Sequence, residues 1–309
     1  MTDYPKIAVL LPTYNGERFL AQQLDSLIAQ HAVNLVIVTR DDGSTDATRG
    51  IVAGYASDYP GLLHIVGDDG SNLGPCGNFS LLMQYVLDNR ATLGLSSAYL
   101  MLCDQDDVWA PDKARLQLAA MLAKEASNPG MPVLVHSDLT VVDASGEPIA
   151  ESFLRYQGLD ASRNDLRNII FSNTVTGCTA LLNEPLARKA LPVPDGALMH
   201  DWWLALVAAA FGTIHFVPQQ LVRYRQHGQN ALGAREYVPP RLLSRSTFNQ
   251  LLRKNPEPLL FAVAEQAGEF ARCYGRELSP LNRLQLGLAR RLRTESFLLQ
   301  RILFRLLRF

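Results

Sequence analysis

The chain has 309 residues, room for about two domains of roughly 150 residues or one larger unit with an appendage. Its 48% hydrophobic and 19% charged residues are the balance of a folded globular protein, which excludes wholesale disorder. The formal net charge is −1, and four cysteines without a CxxC pair argue against a zinc ribbon or a dense disulfide framework and fit a reducing cytosol.

The first half alternates strand-like and helix-like stretches. Ile7 to Leu11 is a short apolar run closed by Pro12 and an Asn15-Gly16 turn. Glu17 to Gln30 places Phe19, Leu20, Leu24, Leu27 and Ile28 at helical spacing. Leu35 to Val38 predicts a second strand, ending in the turn Asp41-Asp42-Gly43-Ser44, with Ser44 or Thr45 as cap of a helix toward Tyr59. A strand at Leu62 to Val66, a glycine-rich loop to Gly77, a helix from about Asn78 to Asn89 and a strand at Ala98 to Leu102 follow. Strands separated by helices of this length predict parallel pairing with crossover helices, an α/β fold.

After Pro132 the pattern changes. Val133 to His136 and Leu139 to Val142 flank a short polar break, and Cys178 to Leu182 predicts another strand. His200 to Phe211 reads as a buried helix, and Ile214 to Tyr224 as an extended stretch kinked at Pro218. Pro239-Pro240 marks a boundary, so a catalytic domain is expected over 1–235 and a helical region over 236–309, broken at Pro256, Pro258 and Pro280.

Ligands of an open α/β sheet bind beyond the carboxyl ends of its strands. Polar residues fall there repeatedly: Thr13-Tyr14-Asn15, Arg40-Asp41-Asp42, and Asp104-Gln105-Asp106-Asp107 after Cys103. One acidic turn is ordinarily a helix cap. Two acidic clusters at neighbouring strand ends cost stability unless a cation or a donor-rich ligand neutralises them. Residues two apart in an extended turn point the same way, so Asp104 and Asp106 face one ligand, and hard oxygen donors suit Mg²⁺ or Mn²⁺. No GxGxxG and no GxxxxGK[ST] sequence is present, against dinucleotide and P-loop chemistry.

Pro12-Thr13-Tyr14-Asn15, Asp41-Asp42-Gly43-Ser44-Thr45-Asp46 and Asp104-Gln105-Asp106-Asp107, in that order and spacing, resemble glycosyltransferase family 2 with its GT-A fold, over roughly residues 5–230. The resemblance implies an α/β GT-A sheet, Rossmann-like and mainly parallel, with a C-terminal helical extension. It implies nucleotide contacts at Pro12, Thr13, Tyr14, Asn15, Glu17, Arg40, Asp41, Asn72, Gly77, Asn78, Asp104 and Gln105. Asp106 matches the acid that holds the metal on the diphosphate, Mg²⁺ or Mn²⁺, and His227 the histidine of a Tyr-Arg-x-His element completing that site. Arg223 and Arg225 match diphosphate contacts. Asp201 matches the acceptor base, with Thr176, Gly177, His200, Trp202 and Trp203 around sugar and acceptor. Capping its own helix is the plainer role for Asp201, and packing in the core the plainer role for at least one of the tryptophans. Asn72 to Phe79, Asp104 to Trp109 and His200 to Trp203 are most similar to bacterial rhamnosyltransferases of surface polysaccharide assembly, which use dTDP-L-rhamnose. UDP-galactose and UDP-glucose enzymes share much of this wording, and a non-catalytic nucleotide-sugar-binding subunit is the rival of another class. The expected acceptor is a glycan or lipid-linked glycan.

The end of the chain is basic. Residues 283–309 hold seven arginines and one acid, Glu295, so this segment carries +6 and the preceding residues −7. At 100° per residue, Arg290, Arg301, Arg305 and Arg308 fall within about 40° of Arg283 if the segment is one helix. Leu284, Leu288, Leu292, Leu299, Ile302, Leu303 and Leu306 then lie opposite. Such a helix suits an anionic membrane surface, or packs on its own domain or on a second subunit in a homodimer. It is too apolar for a nucleic-acid arm. Met1 to Lys6 lack a secretory pattern, and the run Trp202 to Phe211 is half the length of a spanning helix. The expected location is cytoplasmic, peripheral at the inner face of the membrane.

Overall fold

The computed structural model describes residues 5–67, 70–228, 258–294, 299–300 and 302–304. Strand β1 (Ile7–Thr13) leads through α1 (Leu20–Ile28) to β2 (Leu35–Asp41), α2 (Thr48–Asp58), β3 (Leu63–Ile65), α3 (Gly74–Asp88) and β4 (Tyr99–Leu102). These four strands pair in parallel in the order β3-β2-β1-β4, because each helix returns the chain to the starting edge. The two-residue β5 (Val108–Trp109), α4 (Lys113–Ser127), β6 (Val133–Val142), β7 (Pro148–Ala150), α5 (Phe153–Gln157) and α6 (Leu166–Ile169) follow. A 3-10 turn at Gly177–Thr179 then precedes β8 (Leu181–Leu182), α7 (Glu184–Ala190), α8 (His200–Phe211) and β9 (Thr213–Arg225). Strand β8 lies antiparallel between β4 and β6 and joins the halves into one sheet, β3-β2-β1-β4-β8-β6-β9-β5 with β7 on β6. Helices α9 (Pro258–Tyr274) and α10 (Pro280–Arg290) complete the described elements.

Alternation along the strands sorts side chains into two cores. Ile7, Val9, Leu11, Ile37, Tyr99 and Met101 face α1 and α4, burying Leu20, Leu24, Leu27, Leu118 and Met121. Ala8, Leu10, Val36, Val38, Leu100 and Leu102 face α3 and α8. The C-terminal helices share this second core. Trp203 on α8 packs edge-on to Phe270 of α9 at 5.3 Å, and Tyr274 lies against Phe211 at 5.3 Å. A large aromatic pair at this spacing adds packing energy beyond its area.

Several sequence expectations are corrected in detail. The polar break between residues 136 and 139 does not divide two strands. It is an irregularity inside β6, where the register with β9 jumps from Ser137–Val217 to Asp138–Gln220. Pro218 lies in the loop-out opposite, since proline lacks the N–H a ladder requires. Helix α2 starts at Thr48, and neither Ser44 nor Thr45 caps it. Asp46 accepts from the Thr48 backbone N–H (3.0 Å) and Glu17 from that of Ala47 (2.9 Å), so two carboxylates occupy the positive helix end. Of the Cys178–Leu182 stretch only Leu181 and Leu182 are strand. The single-helix reading of 283–309 fails because α10 ends at Arg290 with Arg291 as its cap. Leu284 is then 59% exposed while Leu286, Ala289, Leu292 and Leu303 are buried. Pro239-Pro240 and Arg301, Arg305, Leu306 and Arg308 of the basic helix lie outside the described residues.

Candidate active site

The site begins with the turns after β1 and β2. Asp41 is buried at the end of β2 and accepts from the Ser44 N–H (2.8 Å), the Ser44 hydroxyl (2.5 Å), Arg49 Nε (2.7 Å) and Thr13 Oγ1 (3.1 Å). Burial works to raise its pKa, but these donors together lower it, so Asp41 is a fixed anion. Tyr14 exchanges two backbone hydrogen bonds with the Gln105 amide, each 2.8 Å, and its ring is 49% exposed. Gln105 lies so close over Gly16 that a Cβ there would meet its Oε1 at 2.4 Å. Asn15, at positive φ, joins the two turns: its N–H donates to Ser44 Oγ (2.8 Å) and its Oδ1 accepts from the Thr45 N–H (2.9 Å). Glu17 is exposed and accepts at the start of α2. Pro12 is half-buried in β1, paired with Arg40.

Arg40 and Asn78 are corrected. Arg40 is 2% exposed, donating Nη1 to Asp42 Oδ1 (2.6 Å) and Nη2 to the Ser71 carbonyl (2.9 Å). Asp42 in turn accepts from the N–H groups of Leu73 and Gly74 (2.8 Å each), and Asn72 Nδ2 donates to the Asp42 carbonyl (2.9 Å). This buried ion pair pins the loop before α3 to the end of β2. Asn78, 1% exposed, faces the Arg40 carbonyl from below, and Gly77 packs against Leu73. The arginine organises the loop; it is not open to a nucleotide.

The third element is the acidic loop after β4. Asp104 and Asp106 are half-buried and Asp107 is fully buried. Burial, then the charges of Asp106 and Asp201, push Asp104 up to about 7. Asp106 Oδ2 lies 2.7 Å from His227 Nε2, 121 residues later in the chain. Asp104, Asp107 and Cys178 bring oxygen and sulfur atoms within 4.8 Å of one another. Cys178 and Asp107 face inward, so of the acidic groups Asp104 and Asp106 front the cleft. Asp106 and His227 offer a hard oxygen and an imidazole nitrogen on one point, a donor pair that fits a divalent cation. Of the two arginines, Arg225 is buried with its donors on protein oxygens, whereas Arg223 is exposed. Arg223 donates to the Gly146 carbonyl, and Arg225 donates to the carbonyls of Asp106 (3.0 Å) and Ala144 (3.1 Å) and to Gln22 Oε1 (2.6 Å).

Asp201 closes the site at the first turn of α8. Its Oδ2 accepts from the Gly177 N–H (2.9 Å) and its Oδ1 from the Trp202 N–H (2.6 Å). Burial pushes it up to about 6 against these two donors. Its Gly177 donor precedes Cys178, whose sulfur groups with Asp104 and Asp107, so the α8 terminus lies beside the acidic loop, and the Asp201 charge adds to the rise at Asp104. Thr176 is half-buried beside the Gly177 turn that supports this carboxylate. His200 is 3% exposed and stacked on Phe79 at 4.1 Å, with Nε2 against Gly177, and burial pushes its pKa down to about 3. Trp203 is fully buried and donates Nε1 to the Ala190 carbonyl (3.0 Å), so it is core and not a sugar platform. Trp202 is half-buried, its indole tied to the Ile169 carbonyl (2.6 Å).

Two participants had escaped the sequence reading. Arg49 reaches Asp41 from the first turn of α2, with no signal in the sequence to single it out. Cys76, within the Asn72–Phe79 stretch, lies beside the start of α8. Burial raises its pKa against a hydrogen bond with the His200 backbone, and the Asp201 charge adds to the rise.

The profile of the family described as Glycosyl transferase family 2 matches residues 8–188, more than half of the chain and including every loop of the donor side. This chain belongs to that family. Among curated glycosyltransferase relatives, the dTDP-rhamnosyl transferase RfbG of Shigella flexneri is 26% identical over 234 residues, covering 72% of this chain and 74% of that one. The chain spans 59% to 74% of the length of relatives at this identity. Among solved structures, S. aureus TarS 1-349 in complex with UDP-GlcNAc superposes with a TM-score of 0.59 at 16% identity, over 91% of this chain and 70% of that one. The mannosyltransferase PcManGT from Pyrobaculum calidifontis, in complex with GDP-Man and Mn²⁺, gives 0.53 at 16% identity, over 98% and 80%. The structural likenesses establish the GT-A type of fold. Among the described residues of this family 2 chain, no helix is long and apolar enough to cross a membrane.

Proposed function

We propose that this family 2 glycosyltransferase transfers a sugar with inversion from a nucleoside diphosphate donor to a hydroxyl of a surface glycan or lipid-linked glycan, with dTDP-L-rhamnose as donor. The observation that carries the reading is Asp201: a carboxylate held by two backbone donors, raised to about 6, and lying beside the acidic loop. A base is most effective with a pKa near the working pH, which suits Asp201 to the inverting displacement proposed here. Thr13, Tyr14, Asn15 and Asp41 frame the nucleoside, with the exposed Tyr14 ring free to lie on the base. Asp104 takes the ribose, and Asp106 with His227 would hold Mg²⁺ or Mn²⁺. A divalent cation there neutralises the charge that builds on the departing diphosphate. Asp201 accepts the hydroxyl proton, and its Gly177 and Trp202 donors fix the orientation of the oxygen that takes it.

The 26% identity to a dTDP-rhamnosyl transferase favours rhamnose over a UDP-hexose. The test is a thermal-shift panel of dTDP, UDP and GDP, each with Mn²⁺ or EDTA, followed by transfer assays with the matching sugars. A ligand at 100 times its dissociation constant adds about 2.7 kcal/mol. A metal-dependent shift with dTDP alone supports the rhamnosyl reading. A preference for UDP moves the donor to galactose or glucose, and no shift with any nucleotide overturns the enzymatic reading.

Peripheral attachment to anionic lipid at the inner face of the cytoplasmic membrane belongs to the same proposal. On α10, Leu281 and Leu284 are 62% and 59% exposed, with Arg283, Arg290 and Arg291 exposed on the same short helix. Apolar side chains rimmed by arginine suit an anionic surface. Truncating 283–309 would also remove the buried Leu286, Ala289 and Leu292, so Leu281→Asp with Leu284→Asp is the cleaner variant. Undiminished sedimentation with phosphatidylglycerol vesicles after that change overturns the assignment.

A further inference from the structure

Arg225 ends β9 with 4% of its surface exposed. Its backbone N–H donates to Asp107 Oδ1 (3.1 Å), a carboxylate that is itself fully buried. Its guanidinium spreads over three chain segments. Nε donates to the Asp106 carbonyl (3.0 Å), Nη1 to the Ala144 carbonyl (3.1 Å) and Nη2 to Gln22 Oε1 on α1 (2.6 Å). Its carbon centre lies 4.7 Å from the centroid of the Phe19 ring, and that ring lies 4.9 Å from the ring of His227. Two residues beyond Arg225, His227 meets the Asp106 carboxylate at 2.7 Å. Arg225 therefore grips the backbone of one member of this pair and fixes the strand that delivers the other.

We propose that Arg225, locked by Asp107, is a positioning residue for the Asp106–His227 pair, holding two cation ligands from distant chain segments in register. This rests on the reading of that pair as the divalent-metal site. The donors of this arginine go to protein oxygens on three segments. Its planar fork supplies donors in three directions at fixed angles, and its charge is balanced by carbonyl oxygens and an aromatic face. Lysine, with one nitrogen on a flexible stem, cannot satisfy Asp106, Ala144 and Gln22 together. A ligand carboxylate whose backbone is released loses its preset direction, and loss of such an outer support typically weakens metal binding about 10–100-fold.

The test measures free Mn²⁺ by electron paramagnetic resonance while the full-length chain is titrated in saturating dTDP or UDP. Arg225→Lys should weaken Mn²⁺ about tenfold or more. Gln22→Ala, on the exposed side of α1, removes one of the three acceptors and should weaken it about twofold to threefold, with an unchanged melting temperature. His227→Ala sets the limit for losing a ligand outright. Folded Arg225→Lys and Gln22→Ala variants that bind Mn²⁺ as tightly as wild type overturn the inference alone. So does a lowered melting temperature at unchanged affinity, which is the signature of a merely structural clamp. Wild-type protein that retains no Mn²⁺ with either nucleotide overturns the metal reading, and the inference with it.

Discussion

Asp41 ends β2 and Asp201 opens α8, and the protein treats these two carboxylates in opposite ways. Asp41 is surrounded by donors, the Ser44 backbone and hydroxyl, Arg49 and Thr13, and its pKa is lowered although burial opposes this. Asp201 has two backbone donors, and burial wins, raising it to about 6. The first is an anion used as a scaffold for two turns. The second is a carboxylate left short of partners, with a proton affinity suited to taking a hydroxyl proton. The contrast separates an acid held as an anion by its donors from the one proposed as the acceptor base.

The widest test of that contrast is Asp201→Asn, which keeps the shape and removes the base. Transfer should fall by about 10²–10⁴-fold while donor binding, measured by nucleotide titration, stays within about twofold. Full transfer by this variant would remove Asp201 from the chemistry. Asp41→Asn should act on the fold instead, costing about 2 kcal/mol in urea denaturation for the lost charge-assisted hydrogen bonds. A stable Asp41→Asn protein would mean that Arg49 and Ser44 do not depend on the charge.

A finer test uses pH. With a base near 6, kcat/KM should fall about tenfold per pH unit below that value and level off above it. A flat profile from pH 5 to 8 would contradict the assignment. The smallest effect is on stability, and its sign is opposite to the usual carboxylate case. Between about 4 and 6 the folded state holds a proton on Asp201 that the unfolded chain, with its ordinary value of 3.8, has released. Stability contributed by this group therefore falls as pH rises through that window, and the penalty is complete above it. Asp201→Asn should melt higher than wild type at pH 8, with the gap closing by pH 4. A constant gap across that range would show that the carboxylate is not strained by burial. Asp41 runs the other way: its contribution is present above its ordinary 3.8 and is lost as pH falls through the lowered folded value.

Much of the donor half was legible in the sequence. The apolar runs read from Ile7, Leu35, Leu62 and Ala98 contain the four parallel strands, and the polar residues after them form the candidate site. Asp201 was legible as an acid opening a buried helix, and the resemblance pointed to His227 as the histidine of a Tyr-Arg-x-His element, which the structure brings to Asp106. Other assignments failed for a common reason. Arg40 and Arg225 carry charge that pattern reading sends to a ligand, yet each is consumed by protein oxygens. The adjacent Trp202 and Trp203 look alike in sequence, but one helical step of 100° puts Trp203 wholly in the core. The outer stripe of α10 was misplaced because the helix stops at Arg290, and beyond it Leu292 and Leu303 are buried.

The sequence by itself determined the α/β order of elements, the strand faces and the residue types at the strand ends, because alternation and turn chemistry act over a few neighbours. Tertiary structure alone decided which polar groups are satisfied internally and which are left to act on a ligand. Asp107 and Arg225 meet across 118 residues, and Asp106 and His227 across 121. Proton affinity and metal-ligand geometry arise from such long-range encounters, since burial and hydrogen-bond supply belong to the assembled site and not to any short stretch of chain.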